Sequence, residues 1–416
     1  MKSNLRNIVK DELNSRKGIL NLIPCWVARR NLTPGKRLKI NPRDLYACGA
    51  ERGSFYERWI ASVAKADNGV LSAENEGLSY VNIKFGERRI LLKEIMDEVG
   101  DLIIGEEPMN LYGGLTSYTK FFDYACPIAH HVHLMEKDAR VVGVSSKPEA
   151  YFFPPQLNAI NYNHNYTFFG LLPNVTREDV IKALKNWGKY GDNGILELSA
   201  AYKLKLGTGW NLPPGIIHAP GSLVTYEPQK VNDSSMIMQS MVFDKYFGPE
   251  RLTKFVPPDK RMDFEYMVDM LDWEANKDPN FKANYYCEPI PVKDADIMKE
   301  EGYLEEWICY GSDEFCAKSL TVFPGHEVTI KDSAAYGLIM LEGYGTINGN
   351  KIETPSMINY GKLTSDEMYV SKEAANSGVK IKNWSDTDLL VMYKNFCSDN
   401  PESKVFVKNK GSDCNE

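Results

Sequence analysis

The chain has no cysteine framework, no long apolar run and no strong charge of either sign, and each absence narrows its class. Its eight cysteines stand singly at 25, 48, 126, 287, 309, 316, 397 and 414, and none forms a Cys-x-x-Cys pair. In a chain of 416 residues that scatter indicates reduced thiols rather than disulfide staples. No apolar stretch approaches the ~20 residues of a membrane span, and Met1-Lys2-Ser3-Asn4-Leu5-Arg6 lacks the apolar core of a signal peptide. The expectation is a cytoplasmic protein with no membrane partner. A net charge of -7, with 25% charged residues, argues against a nucleic-acid partner. Histidine is scarce too, with six in the whole chain.

The charge that is present lies unevenly. Residues 1–44 carry eleven Lys and Arg against three Asp and Glu, a local net of +8. The plain reading is a solvated surface, and Arg29, Arg30, Lys36 and Arg37 are the cations within it that an anionic group would use. Hydrophobic residues at 43% and aromatics at 11% suffice for two cores, which the length also suggests.

Apolar spacing predicts an opening helix, with Leu5, Ile8, Val9 and Leu13 on one stripe, and a second from Ile90 to Ile104. Thr176-Arg-Glu-Asp179 starts a third, where threonine caps the first turn and early acids suit the dipole. Pro257-Pro258 and the stripe Phe264, Met267, Val268 and Leu271 mark residues 246–285 as a helical connector. Elsewhere short apolar stretches alternate with Gly, Pro and Asn turns, as in Ser319-Leu-Thr-Val-Phe-Pro-Gly325, and indicate small barrels or sandwiches. The expected layout is an N-terminal domain over 1–245, the connector, a C-terminal domain over 286–408 and a tail over 409–416.

Half of the scarce histidines fall into one pattern. His131 and His133 lie one residue apart in Ala-His-His-Val-His, and in a strand such positions face the same way. His218 follows a Gly-x5-Pro-x-Gly-x2-His run, Gly207 to His218, that presents a third imidazole at a strand start. Lys147-Pro148-Glu149 adds a carboxylate between them. Imidazole and carboxylate together suit one divalent ion, with zinc first and iron, manganese or nickel as alternatives. By alternation His130 points to the opposite face and serves packing or an outer hydrogen bond. His164, in Asn-Tyr-Asn-His-Asn-Tyr, reads as a polar strand or loop residue. His326 has no partner histidine, so the C-terminal domain is expected to be metal-free and structural.

These pieces, in this order, resemble the cupins of the type I mannose-6-phosphate isomerase group. Gly207–His218 is similar to the second cupin motif, and Phe121 to His133 resembles the strand leading into that group's metal motif. Lys147-Pro-Glu149 repeats its Lys-Pro-Glu, and Glu57-Arg-Trp59-Ile-Ala-Ser62 is similar to a Glu-x-Trp-x-x-Ser landmark, read here as packing around Trp59. The likeness spans residues 55–230 collinearly. It implies a mainly β chain of two cupin jelly-roll barrels with inserted helices, the first binding one metal through His131, His133, Glu149 and His218. It also implies an aldose–ketose isomerase acting on a sugar or sugar phosphate. Glu227 falls where the group keeps an acidic residue, and Lys147 where it keeps a lysine.

Three departures stand out. His131 replaces the group's glutamine, which gives the three-His, one-Glu set also found in cupin dioxygenases and in archaeal-type cupin glucose-6-phosphate isomerases. No arginine follows Asn232-Asp233 before Arg251, and Pro220 follows Ala219. An oxygen-using cupin and a non-catalytic sugar-binding bicupin therefore remain as alternatives, and nothing in the sequence selects a homo-oligomer over a monomer. For isomerisation, Glu227 is the candidate base and Lys147 the residue that stabilises the developing charge.

Overall fold

The computed structural model describes residues 2–30, 32–83, 88–158, 165–189 and 191–402. His164 and Cys414 lie outside them. The fold is mainly β, and four of its sheets stack as two jelly-roll barrels back to back.

The first barrel closes a seven-stranded sheet over a five-stranded one. In the larger sheet Glu149–Phe152, Thr225–Lys230 and Ser117–Phe122 run side by side, with Glu227 opposite Lys120 in register. Alternation sorts these strands. Lys120, Phe122, Glu149, Tyr151 and Glu227 face the barrel interior, while Phe121, Ala150, Phe152 and Tyr226 join the core behind it. Both faces are covered, so the strands are buried throughout.

That rear core joins the barrels. Phe121, Phe152 and Tyr226 pack on Ile339, Leu341, Tyr369, Val391 and Tyr393 of a nine-stranded sheet. The second barrel forms between that sheet and a four-stranded one, around Leu320, Leu338, Met368, Met392, Ile347 and Ile381. Three strands of the nine come from the start of the chain: Ile19–Ile23, Tyr80–Ile83 and Arg88–Leu91. Ile19–Ile23 pairs with Glu367–Val370, so the sheets do not part along the expected boundary at residues 245 to 286. Arg58 adds a buried ionic tie between the barrels, reaching Asp366 at 2.8 Å and Glu367 at 2.9 Å.

The opening helix spans Lys2–Ser15. The segment read as helix from Ile90 begins instead as strand Arg88–Leu91, pairing with Tyr80–Ile83, and turns helical at Leu92–Val99 and Asp101–Ile104. Edge pairing overrides the helical spacing there. The helix Arg177–Lys185 carries its capping box, Thr176 and Asp179 each receiving the other's backbone N–H.

Residues 246–285 do more than connect. Their helices pack on the first barrel, where Phe281 meets Phe169 at 5.9 Å and Asn276 Oδ1 accepts from Ile217 N at 2.9 Å. The same asparagine donates to the Gly215 carbonyl at 2.7 Å, which braces the turn before His218. Gly215 sits at φ +90°, and a Cβ there would lie 2.9 Å from Met135 and 3.0 Å from Asp272. Only glycine fits both demands.

Candidate metal centre

Four side chains converge where the two sheets of the first barrel meet. His131 and His218 are direct register partners on adjacent strands of the five-stranded sheet, which brings their rings to 4.1 Å between centroids. His133 follows one residue past the strand end, and Glu149 opens its strand on the opposing sheet. All four are buried, and one ligand atom from each lies within 4.8 Å of the others. Among the described residues this is the one such group.

Hydrogen bonds set the tautomers. His131 Nδ1 meets the Ala129 carbonyl at 2.9 Å, His133 Nδ1 the Ser234 carbonyl at 2.8 Å and His218 Nδ1 the Ile216 carbonyl at 2.9 Å. A carbonyl only accepts, so each Nδ1 carries the proton and each Nε2 presents a bare lone pair to the interior. Burial pushes His131 well below the usual imidazole range and His133 down to about 4, so both are neutral at pH 7. Yet His133 Nε2 and His218 Nε2 each stand 3.0 Å from an oxygen of Glu149, and His218 Nε2 has no hydrogen bond. Lone pairs facing carboxylate oxygens in a dry interior repel unless a cation stands among them. The donor set fits a divalent ion, with outer partners already fixing each ring.

Two lysines border this group. Lys147 Nζ lies 2.8 Å from Glu149 Oε2, 3.3 Å from His133 Nε2 and 3.4 Å from Glu227 Oε1. Lys120 Nζ reaches Glu227 Oε1 at 3.1 Å. Burial works to raise both carboxyls, and the outcomes differ. The Lys147 ammonium holds Glu149 well below the usual range. Burial and the charge of Glu149 push Glu227 up to about 8 against the pull of both lysines.

A cavity of about 520 Å³ opens onto this centre, lined by His131, His133, Lys120 and Lys147. Glu227 is not on its wall but directly behind the two lysine amines. Of the four basic residues singled out near the N-terminus, Arg29 and Arg30 line the cavity. Arg37 instead clasps Asp123 at 2.6 Å, and Lys36 is exposed elsewhere. Glu57, read as part of a packing landmark, has its carboxylate on the cavity wall, bound by Arg29 at 3.0 Å and by Trp59 Nε1 at 2.9 Å. Arg29 also bridges to Asp233 at 3.0 Å. Lys120 and Arg251 were not singled out for the site. The signal for Lys120 is a lone lysine inside the apolar run Tyr118-Thr-Lys-Phe-Phe122. Arg251 gives none, because it arrives from the segment read as a connector. His130 faces away, its Nδ1 at 2.8 Å from Gln239 Oε1 and its ring against Phe168.

Neither a protein-family model nor a curated protein sequence matches the chain. Solved structures do. Mannose 6-phosphate isomerase from Bacillus subtilis superposes with a TM-score of 0.58 at 15% identity, covering 90% of this chain and 99% of that one. The fold is that of the mannose-6-phosphate isomerases. A point mutant of phosphomannose isomerase from Salmonella typhimurium gives 0.59 at 12% identity, over 91% and 99% of the two chains. A zinc-bound mannose 6-phosphate isomerase gives 0.59 at 14%, with the same coverage.

Proposed function

We propose that the protein is a metal-dependent aldose–ketose isomerase whose substrate is a sugar phosphate. The observation that carries this reading is the set of three inward Nε2 lone pairs and one carboxylate, opening onto a cavity walled by two lysines. Bound there, a divalent ion would supply Lewis acidity to the neighbouring carbonyl and hydroxyl oxygens of an open-chain sugar. Zinc is the first candidate, since a structural neighbour is zinc-bound and the ligand set suits it.

The chain's own residues divide the remaining work. Lys147 and Lys120 present their amines to the substrate and stabilise charge that develops on its oxygens. Glu227 stands 3.4 Å and 3.1 Å behind them. Burial raises its pKa, and the Glu227–Lys147 pair takes the proton from one carbon and returns it to the next. A phosphate needs cations without carboxylate partners. Arg29, Arg52 and Lys254 are already paired with Glu57, Glu76 and Asp67. Arg30 and Arg251 line the same cavity, and Arg251 Nε is buried without a hydrogen bond. Burial, then the neighbouring Arg29, pull the Arg251 pKa below its ordinary value against the opposing charges of Asp67, Asp233 and Glu250. These two anchor the phosphate.

Proton NMR in heavy water tests the reading. Metal-loaded protein should wash deuterium into carbon 2 of one hexose phosphate. No exchange with any hexose or hexose phosphate sinks the proposal. Because His131 stands where the isomerases keep glutamine, oxygen uptake without exchange would assign the same four side chains to oxidative chemistry instead.

A further inference from the structure

We infer that Tyr151 is a positioning residue, its hydroxyl fixing the Glu149 carboxylate in the orientation that meets the three imidazoles. The inference rests on reading those four side chains as metal ligands. Glu149 and Tyr151 are two apart on one strand and face the same way, into the first barrel. The phenol donates to Glu149 Oε1 at 2.5 Å, the same oxygen that stands 3.0 Å from His218 Nε2. The other oxygen, Oε2, faces His133 Nε2 at 3.0 Å and receives Lys147 Nζ at 2.8 Å. Each carboxylate oxygen therefore meets one imidazole and one donor.

The two donors differ in stiffness. Lys147 is a flexible stem whose amine also serves the cavity. Tyr151 is a ring locked in place, fully buried, with Phe122 edge-on at 5.7 Å and Phe169 at 6.1 Å. It does not line the cavity, so it acts through Glu149 rather than on substrate. Without the phenol, Glu149 Oε1 keeps no fixed donor, and the carboxylate turns about its terminal bond. A ligand that must be ordered on binding holds its ion less tightly.

The test is zinc affinity, measured by competition with a chromophoric chelator. Tyr151→Phe keeps the ring and its packing, and it is expected to weaken zinc binding by about 10–100-fold, the usual cost of losing an outer partner of a ligand. Tyr393→Phe, which removes a buried hydroxyl in the other barrel, should leave affinity within about twofold. In a Glu149→Gln background Tyr151→Phe should add nothing, since its route to the metal is gone. Unchanged affinity in Tyr151→Phe overturns the inference, as does an equal loss in both backgrounds. Wild-type protein that binds no zinc overturns the metal reading itself, and the inference falls with it.

Discussion

Each barrel buries two lysines and their carboxylates at its centre, with opposite results. In the second, Lys394 contacts Glu305 and lies 2.6 Å from Asp332, while Lys318 meets Asp332 at 2.9 Å and Glu402 at 2.8 Å. Trp307 covers Lys318 at 4.5 Å. The charges there answer one another, and aromatic rings close the space. In the first barrel, Lys120 and Lys147 answer Glu227 and Glu149, but three imidazoles add Nε2 lone pairs; Lys147 reaches that of His133 at 3.3 Å, while that of His218 has no hydrogen bond. Lone pairs left over and aimed at a cavity make a site. Charges fully paired in a closed core make a joint. The same barrel architecture serves both ends.

The largest effect that would separate the two centres is His218→Ala. It should cost more metal affinity than the ~10–100-fold loss of an outer partner and abolish isotope exchange, with the second barrel untouched. Next comes Glu227→Gln, expected to lower kcat by about 10²–10⁴-fold while zinc content stays the same. Lys394→Met in the other barrel should do the reverse. Denaturant melts should show a loss of roughly 3–5 kcal/mol, because Glu305 is left buried without its lysine and Asp332 keeps only Lys318, and zinc content should not change. Arg251→Ala should raise KM for the phosphorylated substrate by about 10–100-fold, equal to the ~1.5–3 kcal/mol of a charged hydrogen bond, and leave the unphosphorylated sugar unaffected.

The smallest effect is a pH slope. Glu227 sits near 4.5 in the unfolded chain and about 8 in the folded one, so the native state binds its proton more tightly. Its contribution to stability is complete below about 4.5 and disappears as pH rises through about 8. His133, lowered to about 4, tilts the lower part of that window the other way, so the informative quantity is a difference. Metal-free wild type should lose stability relative to Glu227→Gln between pH 5 and pH 8.5, read from urea melts. Parallel pH profiles would deny Glu227 its raised pKa.

How far the site was legible depends on whether the signal is local. His131 and His133 announce themselves by strand alternation, and His218 by a turn that requires Gly215. Arg251 reaches the cavity only because residues 246–285 fold back onto the first barrel, and no local spacing encodes that. Glu57 was read as part of a packing landmark, and packing it is, through Trp59; the carboxylate's place on the cavity wall depends on Arg29 from a neighbouring strand. The same holds for the fold. The capping box at Thr176 is written in four consecutive residues, whereas the pairing of Ile19–Ile23 with Glu367–Val370 joins segments far apart in the chain.

The central claim is that three imidazoles and one carboxylate hold a single divalent ion. Metal analysis of purified, dialysed protein beside its His218→Ala variant tests it most directly. One zinc or other divalent ion per wild-type chain is expected, and none in the variant. Wild-type protein that stays metal-free after incubation with zinc, iron, manganese and nickel in turn would contradict it.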